Sequence, residues 1–538
     1  MSTAYATGRL RLTNGDLLGV LLLGCIFVHM SGRPLWHTDI WAHAKYGEWY
    51  WTHGTTPEVE PLSPYSDKST PFANVAWLSQ VAYYLLYKFG AWLAGGDAES
   101  RLCGGAEALR SFHLLLLIGR FAFLWLALRR FGGSAAWATV GLALYLFALR
   151  HEAAVQRPQA FGVFFLAVIL YALSAPALSR RAMAVLPGLF LLWANLHGTF
   201  VVGLAVLGLH TIGRAIERGP FDRDVRRLVV VGVFCALATL VNPHGPLLYK
   251  YILGFSGHPN LKTMKEWWPM ELADSGPYVM SLVLLAFARV LGGRKVGAAG
   301  WLVALPFALW PWHQGRAILW WWTVAVWLLA RLGPGLGDRF PTMPSFPEGQ
   351  PSRGRASLAV GVAGACVLFF PPVRAFVLGT PRGADAVVSP GTPWRLALEL
   401  SAGPVDEGKW LPELRSVLRA QYPHGRFRGA IFASETQGDF LVWSLPEDMP
   451  ALMFTHAHVF TSDHWNACLD VKYADDDWAG FLERHQANLI VVEVASHARL
   501  VDALRASPDW IVVRDEPPVE VARGVRVGQL IALRKNPH

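Results

Sequence analysis

The stretch DLLGVLLLGCIFVHMSGRPLWHTDIWAHAKYGEWYWTHG (residues 16–54) joins two opposite chemistries without a linker. Residues 16–32 are apolar and long enough to cross a hydrocarbon layer of about 30 Å. Residues 37–54 follow at once and carry three histidines, three tryptophans, an aspartate, a lysine and a glutamate. A spanning helix does not readily hold such groups, and a solvated loop has no need of the tryptophans. The segment therefore reads as structure built on a membrane surface. A helix over 36–51 puts Asp39, His43 and Tyr46 at i, i+4 and i+7 on one face. Trp41, Trp49 and Trp51 are then available to the aromatic belt at the interface. The turn-rich run PEVEPLSPYSDKSTPF (57–72) brings the chain back over that surface.

The rest of the chain supports a membrane setting. Of 538 residues, 53% are hydrophobic and 16% are charged, against roughly a quarter charged in soluble domains. Apolar runs recur to about residue 376, and the remainder has ordinary charge density. This predicts a membrane body over 1–378 and a water-soluble domain over 379–538. The net charge of +9 is not gathered in one patch, which argues against nucleic acid. The basic residues stand at the ends of apolar runs, as the positive-inside rule expects. Cys25, Cys235 and Cys366 lie inside apolar runs, so no disulfide framework is expected; only Cys103 and Cys468 could share an outer compartment. Arg9 and Arg11 precede the first apolar core without an A-x-A site, which predicts a retained anchor rather than a cleaved signal.

Basic clusters at 129–130, 180–181, 214–227, 289–295 and 331–355 mark the cytoplasmic side. Between them the chain must cross an even number of times. Counting on this basis predicts eleven spans, near 14–32, 108–128, 133–149, 158–176, 182–196, 198–213, 228–242, 277–292, 297–312, 316–331 and 356–376. The N-terminus is then cytoplasmic and the C-terminal domain extracytoplasmic, in the cytoplasmic (inner) membrane of a bacterium. Residues 33–107 become one large outer loop. Within it, 74–95 is amphipathic, with Leu78, Val81, Leu85, Phe89 and Trp92 on one face and Gln80, Tyr83, Tyr84 and Tyr87 on another. It reads as a helix lying in the interface.

The inner turns are plain Arg and Asp, whereas each outer turn carries side chains that hydrocarbon disfavours. These are Asp39, His43, Arg157, Gln159, Asn195, His197, Asn242, His244, Glu266, His313 and Arg316. Any one of them could serve as a cap or turn former. Together they predict a shared polar pocket on the outer side.

The residues TDIWAH (38–43), PLSPYS (61–66), NVAWLSQ (74–80), RPQ (157–159), LWANLHG (192–198), NPHG (242–245) and EWWP (266–269) carry a resemblance. They resemble the GT-C class of integral-membrane glycosyltransferases, in particular bacterial relatives of the protein mannosyl- and aminoarabinosyl-transferases. The resemblance extends to GDFLVW (438–443) in the tail. It implies a polyprenyl-phosphate sugar donor, a glycan, lipid or protein acceptor, and an essential Asp after the first span, which Asp39 matches. The class often has a second acid in a later outer loop. Here Ile40 follows Asp39 and the later loop reads QRPQ; the nearest acids are Glu48, Glu152 and Glu266.

On this reading Asp39 is the base of an inverting displacement. Arg157, His197, His244 and Arg316 face the donor phosphate, and His43, Gln159, Asn195, Asn242, Glu266 and His313 hold the substrate. A divalent ion (Mn or Mg) would have to draw on Asp39 and His43 with Glu48 or Glu266. No His/Cys spacing marks zinc and no glycine-rich loop marks a nucleotide. Two rival readings use the same residues: a flippase or transporter of a lipid-linked sugar, and a non-catalytic scaffold. A transporter favours internal repeats, and none is visible.

In the tail, 430–434, 439–445, 451–455, 488–494, 510–515 and 529–535 read as strands. Residues 410–422, 477–486 and 497–507 read as helices. The alternation predicts an α/β layer fold. THAHVFTSDHW (455–465) gathers three histidines and Asp463 into one loop, which reads as a polar loop or a metal or acceptor site.

Overall fold

The computed structural model describes residues 11–537 except 38, 151, 153–154, 341–346, 423, 425, 476 and 523–524. The first long helix, α1 (Asn14–Ser31), starts at a capping box in which Thr13 and Asp16 satisfy each other's backbone N–H groups. A two-residue strand, β1 (Trp36–His37), leads into α2 (Ile40–His53). The helices α3 (Trp77–Ala94), α4 (Ala98–Gly132) and α5 (Ala135–Ala148) follow. Strand β2 (Val155–Gln156) precedes α6 (Gln159–Leu173), α7 (Arg180–Leu196), α8 (Phe200–Arg218), α9 (Arg223–Ala238) and α10 (Leu247–Phe255). Three short 3-10 turns separate these from α11 (Gly276–Gly292), α12 (Ala298–Leu309), α13 (Ile318–Leu332) and α14 (Pro334–Arg339). The bundle ends in α15 (Arg353–Phe369) and α16 (Pro371–Leu378).

All eleven predicted spans fall on helices of this list. Among the described residues, four helices are long and apolar enough to cross a membrane: Asn14–Ser31, Ala98–Gly132, Phe200–Arg218 and Gly315–Arg339. The pair α15 and α16 makes a fifth if its 69° bend lies within one span; the bend falls at Pro371 and Pro372, which cannot continue the helical ladder. The other predicted spans lie on shorter helices. The chain is a multi-pass membrane protein. Helix α4 begins at Ala98 rather than 108 because Asp97 caps it, accepting from Ser100 N at 2.9 Å. Helix α13 is buried on nearly every side, as expected of a helix apolar all round; the indoles of Trp321 and Trp327 donate to Ser281 and Ser174 at 2.8 Å.

Helix α3 turns its polar face inward. Gln80, Tyr83 and Tyr84 are buried, while Leu85, Phe89 and Trp92 are exposed. An exposed apolar stripe and a buried polar one fit a helix whose outer face meets lipid. Trp41 departs from expectation. It is wholly buried, not at the surface, because Phe440 and Trp443 of the tail cover it. Trp51 remains exposed.

The tail contains α17 (Ala384–Val387), α18 (Trp394–Ser401), α19 (Pro412–Gln421), β3 (Ala430–Ala433), α20 (Glu435–Ser444), α21 (Ser462–Tyr473), α22 (Trp478–Arg484), β4 (Ala487–Glu493), α23 (Ala498–Ala506), β5 (Trp510–Asp515), β6 (Val519–Ala522), β7 (Val525–Val527) and β8 (Gln529–Arg534). Its main sheet has the order β3-β4-β8-β5. Strand β3 runs parallel to β4, while β8 lies antiparallel between β4 and β5. This is an α/β arrangement, with two corrections. Residues 439–445 belong to a helix, not a strand: Ser434 caps it by accepting from Gln437 N, and a short apolar run does not by itself tell the two apart. Residues 451–455 form no strand; only Ala451 bridges to Ile431.

Candidate active site

The outer polar residues are assembled by a very short ladder. Trp36 pairs with Val155 and His37 with Gln156, in parallel. Two residues beyond His37 stands Asp39, and one beyond Gln156 stands Arg157. The register therefore delivers a carboxylate and a guanidinium to the same place from the two ends of the α2–α5 segment.

Arg157 Nη1 donates to Glu266 Oε2 at 2.8 Å, and Arg316 Nη1 to Glu266 Oε1 at 3.3 Å. One carboxylate thus anchors two arginines from different elements. Arg316 also donates through Nη2 to Gln159 Oε1 at 3.0 Å, and its guanidinium lies 4.6 Å from the Trp267 ring. Arg157 Nε is buried without a partner among the described residues. Burial alone would raise the Glu266 carboxyl, but the charges of Arg316 and Arg157 outweigh it and hold it below the usual range.

Asp39 faces this cluster. Its Oδ2 lies 3.7 Å from His43 Nε2, one helical turn along α2, and its Oδ1 is buried without a partner among the described residues. Burial would raise its carboxyl as well. His43, then Arg157, then His456 reverse that and hold it well below the usual 3.8. His43 is oriented by a chain of amides. Asn74 Nδ2 donates to Gln80 Oε1 at 2.6 Å, so the Gln80 amide nitrogen faces His43 Nδ1 at 2.9 Å. Nδ1 is then the acceptor, and the Nε2 proton points at Asp39. Tyr46 binds Glu60 at 2.8 Å, and Glu60 accepts from Leu62 N and Ser63 N. This pins the outer loop onto α2.

The α2–α3 crossing depends on Gly47, where an added Cβ would stand 2.0 Å from Gln80 O. Gly47→Ala is therefore expected to push α3 back and cost about 1–3 kcal/mol of stability, seen as a lower Tm of the purified protein.

Other predicted residues are placed differently. His197 joins the cluster, but desolvation and then the Arg316 charge push its imidazole down to about 3. It is neutral at physiological pH, which corrects its expected role as a cation. Asn195 is a strut: its Oδ1 accepts from Trp77 Nε1, and its amide donates to Leu191 O and Val241 O. Asn242 spends its amide on Thr239 O and Gly245 O, and its Oδ1 accepts from His244 N. His244 meets Asn74 O at 3.2 Å and Tyr251 edge-on, so it touches the amide chain rather than the arginines. His313 is exposed on the surface.

No protein-family model and no curated protein matches the sequence. Solved structures do. The archaeal oligosaccharyltransferase AglB from Archaeoglobus fulgidus, in complex with an inhibitory peptide and a dolichol-phosphate, aligns with a TM-score of 0.52 at 11% identity. The alignment covers 88% of this chain and 69% of that one. An Archaeoglobus fulgidus oligosaccharyltransferase in the apo form gives 0.51 at 11% identity over the same shares. ArnT from Cupriavidus metallidurans in the apo state aligns at 0.48, with 15% identity, over 96% of this chain and 97% of that one. The chain has a GT-C fold.

Within this GT-C fold the tail supplies residues that motif reading passed over. The Oδ2 of Asp439 accepts from Trp41 N and Ala42 N, both at 3.0 Å. His456 packs its ring edge against His43 with centroids 4.7 Å apart. The sequence offered a signal in GDFLVW and in the histidines of 455–465, but not their destination. The residues present do not fit a metal. Both Glu266 oxygens are engaged by arginines, and among the described residues no group of three His, Cys, Asp or Glu side chains is placed to hold an ion.

Proposed function

We propose that the protein is a membrane glycosyltransferase that moves a sugar from a polyprenyl-phosphate donor to an acceptor hydroxyl, with inversion and with Asp39 as base. The observation that carries this reading is the set Asp39, Arg157, Glu266 and Arg316, contributed by four separate elements to one electrostatic neighbourhood. The dolichol-phosphate in the AglB structure is a polyprenyl phosphate, which supports a donor of that class here.

The acceptor oxygen attacks the anomeric carbon as the carbon–oxygen bond to phosphate breaks. The polyprenyl phosphate leaves with the bonding pair, and the acceptor proton passes to Asp39. Charge grows on the phosphate, where Arg157 and Arg316 meet it; to do so they share themselves between phosphate and Glu266. Once phosphate claims Arg157, its hold on Asp39 weakens and the proton affinity of Asp39 rises. Donor binding thereby makes the base competent. On this reading Gln159, held against Arg316, meets the sugar. The site and the 379–538 domain lie on the outer leaflet of a bacterial inner membrane, with the N-terminus cytoplasmic. The acceptor is a glycan, lipid or protein.

The test is chemical. Lipid extracted from the purified full chain should contain a sugar phosphoryl polyprenol by mass spectrometry. The protein reconstituted in vesicles carrying that lipid should release polyprenyl phosphate. No such lipid in the extract, and no release from a panel of hexosyl and pentosyl polyprenyl phosphates, would overturn the reading.

A further inference from the structure

Helix α2 begins with N–H groups that need acceptors. The residue at its N-cap is Asp39, among the best cappers available. Yet Asp39 makes no cap hydrogen bond; its backbone sits at φ −142°, ψ 3°. The groups that it would ordinarily cap are Trp41 N and Ala42 N. Both are taken instead by Oδ2 of Asp439, a residue 398 positions from Trp41 along the chain.

Asp439 is completely buried. Its Oδ1 accepts from the Thr455 hydroxyl at 2.5 Å, which fixes the plane of the carboxyl group. The helix that carries it is seated tightly. Gly438 lies against Met453 so closely that a Cβ there would stand 2.0 Å from Met453 O. Phe440 and Trp443 pack on Trp41 with centroids 5.0 and 6.3 Å away, and Trp443 meets Tyr87 at 4.7 Å. Four of the six residues of GDFLVW are accounted for: a glycine for close approach, an acid for the cap, and two aromatics that lock the two helices.

We infer that Asp439 is a positioning residue: it caps α2 in place of Asp39, and so frees the Asp39 carboxylate to face His43 and Arg157. The C-terminal domain is then a working part of the site and not an appendage. The catalytic weight of this inference rests on the reading of Asp39 as base. The exchange of caps rests on geometry alone.

The experiment uses Asp439→Ala and Asp439→Asn in the full chain. The first reading is structural: the cryo-EM structure of each variant in lipid nanodiscs, without donor. In Asp439→Ala the Asp39 carboxylate should turn back onto Trp41 N and Ala42 N. In Asp439→Asn the amide oxygen can still accept both N–H groups, so Asp39 should stay toward His43. The second reading is release of polyprenyl phosphate from vesicles bearing a sugar phosphoryl polyprenol. Asp439→Ala should lose about 10²-fold in kcat, the scale of a small misplacement of a reacting group, with donor KM little changed. Asp439→Asn should recover at least a tenth of wild-type kcat. An unmoved Asp39 in Asp439→Ala, or equal losses in both variants, overturns the proposal. If Asp439→Ala does not fold, Thr455→Val removes the hydroxyl that orients Oδ1 and should turn part of the Asp39 population back; an unmoved carboxylate there overturns it equally. Should wild type show no transfer at all, the enzymatic reading fails, while the position of Asp39 in the variants still decides the cap exchange.

Discussion

Asp39→Asn is expected to lower transfer by about 10²–10⁴-fold, the range for loss of a general base, with the protein still folded and at its normal membrane level. The amide has the shape of the carboxylate but cannot take the acceptor's proton. The fold should tolerate it because the Asp39 side chain does not cap α2. The pH behaviour follows from sign. The folded carboxyl lies well below its ordinary 3.8, so the ionised form contributes stability that is fully present above that value and lost as pH falls through the folded one. Between pH 7 and pH 5 Asp39 of the donor-free protein stays ionised, and wild-type kcat/KM should show no acid limb from it. Removing the charge removes its contribution, so a slightly lower Tm at neutral pH is expected. The measurements are release of polyprenyl phosphate across that pH range and a thermal melt of the same preparation. Wild-type turnover by Asp39→Asn would eliminate Asp39 as base.

The legible part of this chain was whatever local patterning controls. Apolar runs located the helices, and a polar, aromatic segment after the first of them located α2. Helical spacing put Asp39, His43 and Tyr46 on one face, and the alternation of short strands with amphipathic helices described most of the tail. The illegible part was set by partners far apart in sequence. The β1–β2 ladder that brings Asp39 beside Arg157 is two residues long, too short to leave a periodic trace. Asn195 and Asn242 look like ligand-binding amides in sequence, yet their amides are consumed by backbone carbonyls. His197 looks like a cation until burial and Arg316 are counted. The run 439–445 reads equally well as strand or helix, and the Ser434 cap decides it. Glu266 is the subtlest case. In sequence it stands among the acids nearest to a second acidic position and reads as a substrate-holding residue; in the fold it serves two arginines.

That role of Glu266 makes Arg157 the second site of large effect. Arg157→Gln is expected to lower kcat by about 10²–10³-fold, the scale seen when one donor to a developing anion is removed. Arg316 would keep its bond to Glu266, so the cluster loses one guanidinium without stranding the carboxylate. The same substitution should change the pH profile. Arg157 is one of the charges that depress Asp39; without it the Asp39 carboxyl rises, and an acid limb moves up toward the working range. Arg157→Lys separates the two effects. It keeps a positive charge, so the profile should remain flat, but a point charge lacks the two-pronged grip of a guanidinium, so much of the rate should stay lost. The readout is kcat for polyprenyl phosphate release from vesicles between pH 4 and pH 8 for both variants. If Arg157→Gln turns over within a few-fold of wild type, the phosphate is held elsewhere. If its rate falls but the acid limb does not move, Arg157 acts on the donor without governing the base, and the coupling between donor binding and Asp39 is wrong.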